Sequence, residues 1–236
     1  MVKKDVEAFL NTYKTQSSEK GNPYFESISV LSKAQKDNPD SVPLVDSNEK
    51  LYDFDELTKI LSGRHLLPSS VDGMIVSNNI VYFIEFKQGF KKKITKENFD
   101  KQKMTCKDDK TFFCHFYKEI FFKNKDLETE DLKSSLLLKA AGSYTLFEKK
   151  ILPQCNATEK KIKLSLIVVM DGNADEELEF ESGGKQQSNV FFNVQESLKS
   201  LFSLQKDQNG NDFYYDCIEV HTANSFKAFI QNVLQN

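Results

Sequence analysis

The chain is poor in cysteine, has no tryptophan and has no long apolar run. Its four cysteines are Cys106, Cys114, Cys155 and Cys217, which form no CxxC pair and lack the ligand spacing of a structural zinc site. Such thiols are typical of a reduced, cytosolic environment. No apolar run is long enough to span a membrane, and no apolar signal core follows Met1. We therefore expect a cytoplasmic protein without a membrane partner.

An excess of basic charge is also absent. The formal net charge is −3, so any contact with nucleic acid must come from a local basic patch rather than from the protein as a whole. The sequence has neither a P-loop nor a dinucleotide-binding glycine fingerprint, and Gly183-Gly184 lacks the residues that flank a phosphate-binding loop. These absences argue against nonspecific binding of polyanions and against nucleotide binding through either of these motifs.

What is present is an alternation of helical and strand-like patterns. Apolar residues at helical spacing predict helices over residues 3–13, 51–61, 132–151, 190–204 and 225–234. Apolar and β-rich runs predict strands over residues 161–171 and 213–221. Residues 24–31 and 111–122 fit either a strand or a helix, whereas residues 39–45 and 174–188 are predicted to be loops.

These elements predict an α/β fold. A strand that follows a long helix indicates a crossover that returns to the same sheet, so we expect a mixed central β-sheet flanked by helices on both sides. A length of 236 residues suits a single domain, residues 1–236, with a sizeable core. The polar, lysine-rich residues 88–131 are predicted to be an insertion within that domain, because core elements resume after them.

The most informative segment is a predicted β-hairpin over residues 71–87. Two β-rich runs flank Asn78-Asn79, a pair that tolerates the positive φ of a tight hairpin turn. Counting outward from that turn places Asp72 directly opposite Glu85. Two opposed carboxylates repel each other, and a divalent cation between them would reverse the sign of the interaction.

The pattern Asp72 … Glu85-Phe86-Lys87, on a hairpin between two predicted helices, resembles the PD-(D/E)xK nuclease superfamily. The resemblance implies a restriction-endonuclease-like core of helix, three strands, helix and strand, with hydrolysis of phosphodiester bonds by Mg²⁺ or Mn²⁺ ions. It implies that Asp72, Glu85 and the backbone carbonyl of Phe86 bind the metal. Lys87, which alternation places on the same strand face as Glu85, would orient or activate the attacking water.

The resemblance covers residues 46–171 and departs from the strict motif at one position. That motif has a proline directly before the aspartate, where this chain has Val71. Members of the superfamily often add a glutamate from the helix before the hairpin. Glu56 and Glu49 are the candidates here, and Glu56 is preferred because it lies within the predicted helix.

Lysines after the hairpin are candidates for contact with nucleic acid. Lys91, Lys92 and Lys93 begin a lysine-rich stretch that could contact phosphates on either side of the scissile bond, the alternative being a solvated loop with interspersed charges. Lys139, on the helix after the insertion, could also face the substrate, although the solvated side of that helix is the simpler expectation.

The resemblance implies a metal-dependent endonuclease that hydrolyses DNA, with RNA as the alternative substrate, and the commonest role of that superfamily implies a restriction or defence type. Many such nucleases cut both strands as dimers, so we also expect a homodimer. One alternative is a catalytically inactive nuclease-fold module that binds nucleic acid or protein. The other is an unrelated α/β protein in which Lys87 simply forms ion pairs with Glu85 and Asp72 at a sheet edge.

Overall fold

The computed structural model describes residues 2–14, 24–36, 38–62, 69–88, 130–155, 162–172, 174–183, 189–206 and 212–235. The predicted insertion therefore lies almost entirely outside the described residues. So do the segment 111–122 and the three candidate phosphate-binding lysines, Lys91, Lys92 and Lys93.

The described residues form alternating strands and helices. Their bounds are α1 Val2–Lys14, β1 Phe25–Ser27, α2 Ile28–Leu31, β2 Lys50–Asp53, α3 Phe54–Ser62, β3 Gly73–Ser77, β4 Ile80–Lys87, α4 Glu130–Leu146, β5 Lys163–Met170, α5 Ala174–Glu181, α6 Val190–Phe202, β6 Gln205–Lys206, β7 Asp212–Phe213, β8 Cys217–Thr222 and α7 Ala223–Gln235. A π-helical turn, Phe147–Ile151, and a 3₁₀ turn, Leu152–Gln154, extend α4. Within these ranges no helix is long and apolar enough to cross a membrane.

A mixed, open sheet organises the described part of the chain. Six strands pair in the order β1-β2-β3-β4-β5-β8. Neighbours from β1 to β4 are antiparallel, whereas β5 is parallel to β4 and β8 is parallel to β5. Helix α4 connects β4 to the parallel strand β5, which is the crossover that the sequence predicted. The predicted α/β class, a mixed sheet flanked by helices, is confirmed.

The central strands are buried on both faces, as predicted for the segment that forms β5. Along β5, Leu166 and Val168 belong to a cluster with side chains of α1, α3, α4 and α6, whereas Ile167 and Val169 belong to a second cluster with Phe226 and other side chains of α2 and α7. This alternation follows from the period of two of a strand. The sheet is thus the middle of three layers.

Residues 51–61 differ from the prediction of one continuous helix. Leu51 and Tyr52 pair with β1, and Tyr52 also pairs with Met74 of β3, so this part of the segment is strand β2. The helix begins only at Phe54, because Asp53 Oδ1 accepts a hydrogen bond from the Glu56 N–H at 3.1 Å and so caps the first turn. The apolar residues of this segment fit both the helical period of about 3.6 and the strand period of two. Pairing with β1 and β3 decides which residues form a strand.

The predicted loop over residues 174–188 is wrong for its first half, which forms helix α5. Phe180 of α5 stacks on the buried Phe191 of α6, with ring centroids 5.2 Å apart. Glu177 Oε1 accepts a hydrogen bond from the Gly172 N–H at 2.9 Å, which ties the helix to the end of β5. Packing contacts of this kind stabilise a short polar helix that periodicity alone does not reveal.

Two other boundaries were open or misplaced. Residues 24–31, which fitted a strand or a helix, form both, since strand β1 leads directly into helix α2. The last strand of the sheet begins at Cys217 rather than at residue 213, and Tyr214, just before it, has a φ of 71° that a regular strand does not allow.

Candidate active site

The β3–β4 hairpin has the predicted register. Ser77 pairs with Ile80, and the pairing continues to Gly73 and Ile84, so the next step outward places Asp72 beside Glu85. Asn78 in the turn has a φ of 54°, which asparagine tolerates better than most residues.

Asp72 and Glu85, which we call the carboxylate pair, are held in place at the open end of the hairpin. Both are buried, and Glu85 is only 1% exposed. The Phe86 N–H donates a hydrogen bond to Asp72 Oδ2 at 2.8 Å, so the backbone of one strand orients the aspartate of the other. A buried charged group requires such partners, because transfer from water without them is costly.

Lys87 lies on the same face as Glu85, as the strand alternation predicted. Its Nζ is 2.9 Å from Glu85 Oε1 and also donates a hydrogen bond to Ser135 Oγ of α4 at 3.3 Å. The contact between Lys87 Nζ and Glu85 Oε1 is short but does not have the angles of a hydrogen bond. Glu85 Oε1 therefore has no hydrogen-bond partner among the described residues. The Glu85 oxygen is therefore held by charge attraction and keeps unused hydrogen-bonding or metal-binding capacity.

Lys139 of α4 is the residue whose position the sequence predicted least well. Its ammonium donates to Glu85 Oε2 at 2.7 Å and to Asp72 Oδ1 at 3.3 Å, and its side chain is mostly buried. The expectation that it lies on the solvated side of its helix is wrong. Because α4 packs against the open end of the hairpin, the Lys139 ammonium bridges the carboxylate pair.

One face of α4 makes all of these contacts. Ser135, Lys139 and Ser143 are spaced four residues apart and so lie on the same side of the helix. Ser143 Oγ accepts a hydrogen bond from the Val71 N–H at 2.9 Å, directly before Asp72. The spacing of these three polar residues by four positions is a sequence signal that could have identified this face of the helix.

The backbone of α4 also touches the loop before the hairpin at Gly142. An added Cβ at this position would lie 1.8 Å from the carbonyl oxygen of Ser69, so only glycine allows this approach. This close contact fixes the distance between α4 and the end of the hairpin that carries the carboxylate pair.

Burial and the neighbouring charges shift the pKa values of Glu85 and Lys139. Burial and the Asp72 carboxylate raise the pKa of Glu85 from 4.5 to about 7, although Lys87 and Lys139 oppose the change. Burial alone would lower the pKa of Lys139, but attraction to Glu85 and Asp72 raises it above its usual value. The two shifts have different causes: burial beside Asp72 disfavours the ionised form of Glu85, whereas the two carboxylates favour the charged form of Lys139.

A second acidic group, formed by Asp53 and Asp55, pairs with Lys36. Lys36 Nζ is 3.2 Å from Asp53 Oδ2 and 3.9 Å from Asp55 Oδ2, and Ser70 Oγ donates a hydrogen bond to Asp55 Oδ1 at 2.5 Å. The Asp55 carboxylate is close enough to Lys139 to act on it electrostatically. Sequence reasoning missed Asp55, which is adjacent in the chain to the predicted Glu56.

The predicted upstream glutamates make other contacts. Glu56 forms an ion pair with Lys59 on the half-exposed side of α3. The backbone of Glu49 contacts Ile28 and Ser47 before β2 begins. Their predicted catalytic role stays a prediction, but the described contacts do not bring either side chain to the carboxylate pair.

The carboxylate pair supplies two oxygen donors of the kind that a hard divalent cation prefers. Within the described ranges there is no cluster of three or more His, Cys, Asp or Glu side chains that could hold a metal ion. Asp72 and Glu85 nevertheless converge on a single cation, the Lys139 ammonium. Mg²⁺ needs only one or two carboxylates, with water completing its shell, so these two oxygens are a suitable donor set. The predicted contribution of the Phe86 carbonyl stays a prediction.

Comparisons with known proteins leave the family open. No protein-family model, no curated protein and no solved structure matches the chain. The chemistry of the site must therefore be argued from the described residues themselves.

Proposed function

We propose that the protein is a metal-dependent nuclease that hydrolyses DNA phosphodiester bonds, and that Asp72, Glu85 and Lys87 carry the reaction. The observation that supports the proposal best is the convergence of two carboxylates on one cation position, with the Lys87 ammonium 2.9 Å from the buried Glu85. Burying two carboxylates side by side is costly, and a site for divalent cations is a function that explains the arrangement.

The residues of the site would have separate roles in the reaction. Asp72 and Glu85 would hold Mg²⁺ or Mn²⁺, which neutralises the charge that develops on a phosphodiester and lowers the pKa of water. Lys87, anchored by Ser135, would orient the attacking water and stabilise negative charge at the reacting phosphate. Glu56 of α3 stays the proposed additional carboxylate, although its described partner is Lys59.

The topology supports a restriction-endonuclease-like core, which we propose as the finer fold assignment. Strands β2, β3 and β4 form an antiparallel set, α4 crosses over, and β5 adds in parallel beside β4. One difference is that α3 lies between β2 and β3, whereas the resemblance implies a helix before all three strands.

DNA is the proposed substrate, with RNA as the alternative. Lys91, Lys92 and Lys93 are proposed phosphate contacts immediately after the catalytic strand. Lys139 is less suited to that role, because its described partners are the two carboxylates. A homodimer that cuts both strands, and a restriction or defence role, remain part of the proposal.

The test is cleavage of supercoiled plasmid and linear DNA with Mg²⁺, Mn²⁺ or EDTA. Asp72→Asn, Glu85→Gln and Lys87→Met should each reduce metal-dependent nicking by about 100-fold or more, as loss of a central catalytic group does. Lys199→Met is the matched control, because Lys199 forms an exposed ion pair with Glu196 on α6. Circular dichroism would verify that each variant is folded. Wild-type cleavage that survives in all three site variants would refute the assignment.

The inactive module is the second candidate, and one observation favours it. Two lysines already neutralise the two carboxylates, so the charge network is complete without a metal ion. This candidate predicts binding of DNA or protein with no cleavage and no binding of Mn²⁺ by calorimetry. A wild-type protein that binds Mn²⁺ and loses this binding in Asp72→Asn would exclude it.

A further inference from the structure

We propose that the Lys139 ammonium and a divalent cation compete for one position between Asp72 and Glu85, so that Lys139 sets the affinity of the site for metal. The inference rests on the proposed function and deepens it. Lys139 is thus a built-in competitor rather than a contact for nucleic acid, and the protein should bind metal more weakly than its carboxylates alone would allow.

A metal ion and the Lys139 ammonium cannot occupy the position between Asp72 Oδ1 and Glu85 Oε2 at the same time. Lys139 Nζ lies 2.7 Å from Glu85 Oε2 and 3.3 Å from Asp72 Oδ1, so it contacts one oxygen of each carboxylate. A Mg²⁺ ion binds carboxylate oxygens at about 2.1 Å. A metal ion that binds these two oxygens would need the space that the ammonium fills.

Lys87 is not part of this competition. It approaches the other oxygen of Glu85, Oε1, and is anchored separately by Ser135. Removing the Lys139 charge would therefore free one oxygen on each carboxylate and leave the Lys87 contact in place. The two lysines should have opposite effects, because Lys87 assists the reaction and Lys139 opposes metal binding.

Exchange of the two cations needs only a movement of the Lys139 side chain. Helix α4 is fixed by the Ser143 hydrogen bond to Val71 and by the close approach of Gly142 to Ser69. The side chain of Lys139 is 18% exposed, which leaves a route towards solvent.

The negative charge of Asp55 also acts on the Lys139 ammonium. The Asp55 side chain is 35% exposed. This negative charge favours an ammonium nearby, which would reduce the cost of moving Lys139 away from the carboxylate pair.

The experiment measures Mn²⁺ binding to the full chain by isothermal titration calorimetry. Lys139→Met should bind Mn²⁺ at least about tenfold more tightly than the wild type, because the competitor is gone. Lys139→Arg keeps a cation and should stay close to the wild type, and Lys199→Met should not change the affinity. Equal or weaker binding by Lys139→Met, or no binding by either protein, would overturn the inference.

A second measurement uses only the wild type, in case Lys139→Met does not fold. Lysines are acetylated with a limiting amount of reagent, with and without saturating Mn²⁺, and the modified sites are quantified by mass spectrometry. Displacement predicts faster modification of Lys139 in Mn²⁺, with Lys199 unchanged. An unchanged rate at Lys139 under saturating metal would equally refute the competition.

Failure of this inference and failure of the proposed function give different results. Cleavage of DNA combined with equal Mn²⁺ affinities in the wild type and Lys139→Met would refute the competition alone. Tighter Mn²⁺ binding by Lys139→Met without any cleavage of DNA or RNA would support the competition and refute the nuclease assignment.

Discussion

The buried Glu85 should make the stability of the protein fall as the pH rises from about 5 to 8. Burial and Asp72 raise the pKa of Glu85 from 4.5 to about 7 in the folded protein, so the folded state binds this proton more tightly than the unfolded chain does. Protonation of Glu85 therefore makes its full contribution to the free energy of unfolding below pH 4.5. This contribution is lost between pH 4.5 and 7 and changes little above pH 7.

The magnitude follows from the two pKa values. Each pH unit that separates them corresponds to about 1.4 kcal/mol, so the whole transition amounts to about 3 kcal/mol. Between pH 5 and 8 the expected loss is roughly 2 to 3 kcal/mol. No discount for solvent screening is needed, because Glu85 is only 1% exposed.

The assay is urea unfolding of the wild type and Glu85→Gln at several pH values from 5 to 8, with EDTA present. Other titrating groups contribute to both proteins, so their effects cancel in the difference between the two free energies of unfolding. The wild type should lose roughly 2 to 3 kcal/mol relative to Glu85→Gln across this range. A difference that is constant, or that grows in favour of the wild type as pH rises, would contradict the buried, water-poor site.

Two further predictions concern the docking of α4. Gly142→Ala should destabilise the protein by about 3 kcal/mol or more in urea unfolding, because its Cβ would lie 1.8 Å from the Ser69 carbonyl oxygen; a cost below about 1 kcal/mol would show that the helix can shift. Tyr215→Phe should cost about 1 to 2 kcal/mol, since the fully buried hydroxyl donates to the Ala140 carbonyl at 2.7 Å; unchanged stability would mean that this bond makes no net contribution.

The hairpin is the part of the site that sequence alone predicted well. Its register depends on the turn at Asn78 and on strict alternation, both of which act over a few residues. The same reasoning placed Asp72 opposite Glu85 and put Lys87 beside Glu85. Helix α4 and strand β5 were also predictable, because their apolar patterns are long.

The assignment of short segments depended on partners elsewhere in the chain. Residues 50–53 form a strand because they pair with β1 and β3, and residues 174–181 form a helix because Phe180 stacks on Phe191. Local propensity is weak compared with such packing, so periodicity over a short segment cannot decide the structure.

Only the tertiary structure showed which cation neutralises the carboxylate pair. Lys139 lies 67 residues after Asp72 in sequence, and its ammonium contacts both carboxylates. Hairpin geometry is a local property, so the chain pattern determined where the two carboxylates meet. Polar spacing marks one face of α4, but the surface that this face docks against is set by the long-range contacts of Gly142 and Ser143, so the fold decided the position of Lys139.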